Sequence, residues 1–273
     1  MEFTLEEQFQ GFLATSEIFA ENTLFEYPLL RTFIPEVLDN KVLSPPGATV
    51  LGKRMEHFFA CYLSSFTSEE ILLQNQQIIH HKRTLGELDF LLKNSVSEEI
   101  SHVELIYKFY LFDPATGTSE LDHFIGPNKR DSLNRKLERL QKWQFPMLFQ
   151  EPTRDLLREL HIAPEEVVQK MCFKAAVFLP KQFEKISFQK IHPAAVAGFW
   201  IHASDFNATT YANNKFFCPR KKYWPVLPTR KISWNSFDEI VNIITPLLNK
   251  QYAPLLWMKT PEGDLERFFV VWW

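Results

Sequence analysis

Two stretches of the chain alternate apolar and polar side chains with period two, the signature of strands whose side chains point to opposite faces in turn. In RTLGELDFLLKN, residues 83–94, Leu88, Phe90 and Leu92 share one face, while Glu87 and Asp89 share the other. In SHVELIYKFYLF, residues 101–112, Val103, Leu105, Tyr107, Phe109 and Leu111 make a largely apolar face opposite His102, Glu104, Ile106, Lys108 and Tyr110. Residues 76–81 read as a strand before this pair, and residues 173–179 as a later core strand stopped by Pro180. Helical spacing appears at residues 51–63, where Leu51, Met55, Phe58, Phe59 and Tyr62 follow the breaker Ser44-Pro45-Pro46-Gly47. A second helix is expected from an Asn128 N-cap, with Asp131 in its first turn and Leu133, Leu137 and Leu140 as its apolar stripe. A third spans residues 236–250, ahead of two terminal strands, 254–259 and 267–273, joined by a turn at residues 260–264.

The polar strand faces carry the candidate chemistry. Charged side chains are seldom fully buried without a partner or a metal. Paired as a hairpin, the two strands bring Glu87, Asp89, Glu104 and Lys108 to one patch. A hard divalent cation such as Mg²⁺ takes one or two carboxylates together with waters and phosphate oxygens. Such an ion polarises a phosphoryl oxygen and activates a water, and an adjacent lysine stabilises developing negative charge. The competing reading is a solvated face of an antiparallel sheet, where charge is ordinary. If the carboxylates do converge, repulsion among like charges should raise the pKa of at least one of Glu56, Asp89 and Glu104.

Composition narrows the field without deciding it. The chain has 273 residues, 45% of them hydrophobic, with 26 phenylalanines and only 8 glycines, which argues for a sizeable core and against disorder. Cys61, Cys172 and Cys218 are widely separated and suggest reduced thiols rather than a disulfide framework or a zinc signature. G-x-S-x-G, Walker A, G-x-G-x-x-G and H-E-x-x-H motifs are absent. No signal-like segment or bilayer-length apolar run occurs, so a cytoplasmic protein without membrane association is expected. The net charge of −3 confines any affinity for nucleic acid to local patches. One such patch lies between Asp205 and Asp238, where Lys215, Arg220, Lys221, Lys222, Arg230 and Lys231 interleave with Phe216, Phe217, Tyr223, Trp224 and Trp234. It reads either as a phosphate-binding, base-stacking surface or as a buried aromatic cluster with a solvated basic rim.

An Asp on one strand followed by a Glu and a Lys on the next resembles the PD-(D/E)XK nuclease superfamily, the restriction-endonuclease-like fold. The run GELDF, then E-x-x-x-K-F-Y-L, then G-P-N before a basic helix is most similar to an uncharacterised bacterial family assigned to that superfamily. The likeness covers about residues 50–150 well. It implies an α/β fold with an αβββαβ core, a central mixed sheet flanked by helices. Residues 46–180 would form that core, 1–45 an N-terminal helical extension, and 181–273 a C-terminal α+β subdomain. It further implies a metal-dependent nuclease cleaving phosphodiesters, with DNA favoured over RNA, and Mg²⁺ or Mn²⁺ as cofactor. Asp89 matches the motif aspartate, Glu104 the second acidic position, and Glu56 a glutamate on the preceding helix that joins the metal ligands. Ile106 stands where the lysine is expected, and Lys108 lies on the same face about 6.6 Å further along. Leu88 replaces the motif proline. Lys136, Arg220, Lys221 and Lys222 would bind phosphates. A catalytically inactive nucleic-acid-binding or protein-interaction module on the same fold is the alternative.

Overall fold

A computed structural model describes residues 3–36, 43, 45–47, 50–183, 186–228 and 232–273. Ser44 of the expected breaker and Arg230 and Lys231 of the basic stretch lie outside them. In chain order the main elements are α1 (Leu5–Ala14), β1 (Thr23–Leu24), β2 (Tyr27–Pro28), α2 (Leu51–Phe66), β3 (Glu69–His80), β4 (Arg83–Asn94), β5 (Ile100–Phe112), β6 (Phe124–Ile125), α3 (Leu133–Arg139), α4 (Glu151–Glu159), β7 (Val168–Pro180), β8 (Val196–His202), α5 (Ala208–Tyr211), β9 (Lys215–Phe217), α6 (Phe237–Asn249), β10 (Leu255–Lys259) and β11 (Leu265–Val271). The chain is therefore mixed α/β, with parallel and antiparallel strand pairs and flanking helices, as the patterning predicts. The described residues contain no helix long and apolar enough to cross a membrane.

Two compact units divide the chain, and they do not follow the boundaries expected from sequence. The first comprises residues 21–107 and 135–174, and the second residues 1–20, 108–134 and 175–273. The long strands β5 and β7 each supply residues to both, so a linear cut at 45 or 180 separates neither. The expected N-terminal extension is split as well: α1 belongs to the second unit, and the β1–β2 hairpin to the first.

In the first unit the strand order is β3-β4-β5-β7, and β3, β4 and β5 pair antiparallel. β3 starts at Glu69, well before the predicted residue 76, and its ladder with β4 runs from Glu69↔Asn94 to His80↔Arg83. Helix α2 buries Leu51, Met55, Phe58, Phe59, Tyr62 and Leu63, which includes every residue of its predicted stripe. Phe59 meets Phe90 of β4 edge-on, with ring centroids 5.1 Å apart. Leu91 packs instead with Leu148, Leu157, Ile162 and Val167, and Leu88 with Ile78 and Met147. Leu88 and Leu91, three residues apart, thus meet the same 145–149 segment, while Phe90 turns to α2. Strict alternation would put Leu88 and Phe90 on one face. It slips between them, and Asp89 sits at the slip.

In the second unit β7–β8 and β8–β11 are parallel pairs, and β11, β10 and β9 continue antiparallel. Gly198 of β8 stands so close to β11 that a Cβ there would lie 1.9 Å from the Arg267 carbonyl oxygen, which explains a glycine inside a strand. Helix α6 begins with a Ser236/Glu239 capping box and buries Ile240 and Ile244. Its neighbours in the core include Phe216, Leu256, Met258 and Phe268. The three cysteines are free thiols, and burial pushes Cys218 up to about 12.

The basic helix begins later than predicted. Asn128 is not its N-cap; its side-chain oxygen accepts the Ala253 N–H at 2.8 Å instead. Lys129 has φ 54°, a left-handed conformation that no helix interior accommodates, and residues 126–131 form a tight loop before α3 starts at Leu133. Leu133, Leu137 and Leu140 are buried as the predicted stripe. After Arg139 the helix widens into a π-turn, Leu140–Gln144, and then tightens into a 3₁₀ turn, Phe145–Phe149, with Pro146 near its start.

Candidate functional site

The first unit gathers its polar chemistry around Asp89, where both neighbouring strands are irregular. On one side, Gln74 pairs with Phe90 and Gln76 with Leu88, so Asn75 lies across from Asp89, and Asn75 has φ 51°. On the other side, the β4–β5 ladder runs from Lys93↔Ile100 to Phe90↔Val103. Beyond it the Asp89 carboxylate, rather than a ladder carbonyl, accepts the Leu105 backbone N–H at 3.0 Å. Left-handed backbone in a strand interior and a side chain in place of a ladder bond are features that concentrate at functional sites.

Glu104 lies deeper, with no exposed surface, and is held on both oxygens. His102 Nε2 stands 3.0 Å from one, and the Gln144 side-chain amide donates to the other. The histidine's state follows from its second nitrogen. The Gln169 amide nitrogen donates to the Phe145 carbonyl at 2.7 Å and also lies 3.2 Å from His102 Nδ1. An amide NH₂ has only protons to offer, so the arrangement fits Nδ1 accepting and Nε2 donating to Glu104. Gln144, at the last position of the π-turn, also accepts from Lys136 Nζ at 2.7 Å, which joins the basic helix to Glu104 through one amide. Single-turn π widenings occur frequently at functional sites, because they re-aim one side chain without ending the helix.

Glu56 projects from α2 toward the same cluster. Its carboxylate pairs with Lys53 at 2.8 Å, and Lys53 also pairs with Glu87 and approaches the Asn75 side-chain oxygen at 3.3 Å. Burial acts to lower the Lys53 pKa, but the bonds to Glu56 and Glu87 outweigh it and hold the ammonium above its ordinary value. Asp89 moves furthest. Burial first, then the charges of Glu104 and Glu56, push its pKa from 3.8 to about 8, against the opposing pull of the Leu105 N–H and of Lys136. The expected rise thus falls on Asp89, with desolvation as its largest cause and like-charge repulsion second.

Glu56, Asp89, Glu104 and Lys136 therefore interact within the first unit, and the solvated-face reading of Glu104 fails because that carboxylate is sealed in the core. Glu87 is taken up by Lys53. Lys108, the expected catalytic lysine, belongs to the second unit and forms an ion pair with Asp131; the cation acting on Asp89 is Lys136. Arg220, Lys221 and Lys222 also lie in the second unit, and of the aromatics between the basic residues Phe216, Tyr223 and Trp224 are buried while Phe217 and Trp234 are half-buried. Phe216 is 0% exposed and Trp224 2%, and Tyr223 packs with Phe3, Val226 and Ile232. Of the two readings of this stretch, these three rings fit the buried aromatic cluster. Burial, then the neighbouring Lys108, lowers the Lys221 pKa. The sequence alone gave no role to Gln144 or Gln169, since neither lies in a strand motif and both reach the site through tertiary contacts.

A cation of the kind the resemblance implies fits this donor set in one respect and lacks a ready cage in another. Among the described residues no three His, Cys, Asp or Glu side chains are grouped as a metal cage. Mg²⁺ does not require one, since one or two carboxylates suffice when water and phosphate complete its shell. Each Glu104 oxygen keeps a lone pair after its one hydrogen bond. The charges of Glu104 and Glu56 act against ionisation of Asp89, and a divalent ion would relieve that repulsion.

Residues 21–271 match the model of a domain of unknown function, DUF1853, and the chain belongs to that family. No curated protein and no solved structure matches it.

Proposed function

We propose that the chain is a divalent-cation-dependent phosphodiesterase acting on nucleic acid, built on a restriction-endonuclease-like α/β core. The observation that carries this reading is the set of buried Glu104 with half-buried Asp89 and Glu56, whose charges raise the Asp89 pKa at an interrupted strand pair, with a lysine beside it. Asp89 and Glu104 would hold the cation, assisted by Glu56. When bound, such an ion polarises a phosphoryl oxygen and activates water. Lys136 supplies the positive charge expected of the motif lysine and stabilises negative charge developing on phosphate. His102 and Gln144 fix the orientation of Glu104, and Gln169 fixes the tautomer of His102.

Calorimetric titration of Mg²⁺ and Mn²⁺ into the wild type and Asp89→Asn tests the reading. The wild type should bind and release a proton near pH 7.5, because Asp89 must ionise to coordinate. Asp89→Asn should do neither, and metal-dependent cleavage of single-stranded, duplex or branched substrates should vanish with it. A wild type that binds no cation, or cuts none of these, overturns the proposal. The complete burial of Glu104 favours a second reading, a catalytically silent nucleic-acid or protein-binding module, and the absence of cleavage with nucleic-acid binding intact would select it.

A further inference from the structure

The segment that sends Gln144 inward sends its neighbour out. Trp143 is 69% exposed, and among the described residues its indole makes no ring contact and no hydrogen bond. An exposed tryptophan is uncommon because its large apolar surface gains so much from burial. Here the other six tryptophans are buried or half-buried. Trp143 is also placed by the most constrained part of the site, since Gln144, the next residue, is bonded to both Glu104 and Lys136. Consecutive Cα atoms lie about 3.8 Å apart, so the Trp143 backbone stands about one glutamine side chain from the carboxylate cluster and the indole extends outward from there.

The charge around it is one-sided. Residues 133–144 carry Arg135, Lys136, Arg139 and Lys142 against the single carboxylate of Glu138, a net charge of +3 on a chain whose overall charge is −3. Glu138 is paired with Lys142, while Arg139 is exposed. A positive track ending in an exposed ring combines the two elements of sequence-tolerant binding to single strands: backbone phosphates along the cations and an unstacked base on the aromatic face. Duplex DNA keeps its bases stacked on each other and offers an isolated indole no such partner.

We propose that Trp143 and the cationic turn Arg135–Lys142 form a base-stacking platform for single-stranded nucleic acid beside the carboxylate cluster. The platform names the substrate form for the phosphodiesterase proposed above and rests on that reading for its catalytic meaning, though its binding stands independently. A strand stacked on Trp143 would lay its backbone along Arg139 and Lys136, the residue whose charge acts on Asp89.

Fluorescence anisotropy with labelled oligothymidylate and with a duplex of equal length, in EDTA, tests binding apart from catalysis. Trp143→Ala should weaken single-strand binding by roughly tenfold, and Trp143→Phe should restore most of it, while duplex affinity stays the same. Arg139→Gln should lower the salt slope for the single strand by about 0.7. Both side chains are exposed, so folding should persist, and an unchanged melting temperature confirms it. Equal single-strand affinity in wild type and a folded Trp143→Ala overturns the platform. So does a change of oligomeric state in Trp143→Ala without a change in binding, which would assign the indole to a protein interface. A wild type that binds the single strand through Trp143 but cleaves no substrate sinks the catalytic reading and leaves the platform standing.

Discussion

Asp89 makes the stability of this chain depend on pH in the direction opposite to that of most carboxylates. Its pKa is 3.8 in ordinary surroundings and about 8 in the fold, so between these values the folded chain holds a proton that the unfolded chain has released. Stability falls with rising pH wherever the native state binds more protons. The contribution is therefore fully present below about 3.8 and is lost as the pH climbs through about 8. Asp89→Asn holds the position neutral throughout, and its amide oxygen can still accept the Leu105 N–H. Each pKa unit corresponds to about 1.4 kcal/mol, and roughly three units of the shift lie between pH 5 and pH 8. Wild type should thus lose about 4 kcal/mol relative to Asp89→Asn between pH 5 and pH 9. Urea unfolding of both proteins in EDTA at pH 5, 7 and 9 measures this, and subtraction removes groups that titrate independently of Asp89. Adding Mg²⁺ at pH 9 should restabilise the wild type and leave the asparagine variant unaffected. A difference between the two proteins that stays within about 1 kcal/mol over the whole range would refute the claim that Asp89 ionises against burial and like charge.

Two other outcomes follow from the packing. Gln144→Ala removes one of the two donors to a carboxylate with no exposed surface, and should destabilise the chain by about 1.5–3 kcal/mol in thermal or chemical unfolding; an unchanged midpoint would mean that Glu104 does not depend on that amide. Trp224→Ala should cost about 3–5 kcal/mol, because the indole packs edge-on against Phe109 and Phe269 at 5.2 and 5.0 Å. A stable Trp224→Ala with weakened nucleic-acid binding would favour the base-stacking reading of that stretch instead.

Local sequence determined the elements. Period-two alternation located β4 and β5, and helical spacing located α2 with its whole buried stripe, because each of those patterns depends only on side-chain direction along one segment. The carboxylates themselves were legible for the same reason: Asp89 and Glu104 are charged residues within strands otherwise built of large apolar side chains. Tertiary structure decided what those charges do. The slip of alternation at Asp89 depends on α2 and the 145–149 segment competing for β4 from different directions, which no single-strand periodicity encodes. The cation beside Asp89 is Lys136 because a π-turn placed Gln144 between it and Glu104, a geometry set by packing after Arg139. The helix start moved from Asn128 to Leu133 because the Asn128 side chain is bound by the Ala253 N–H, 125 residues away in the chain. Likewise Trp224 and Trp143 are chemically identical and both sit among lysines and arginines in the sequence. Only the surrounding strands make one a core residue and leave the other in solvent, because burial is a property of what packs against a side chain and not of the side chain itself.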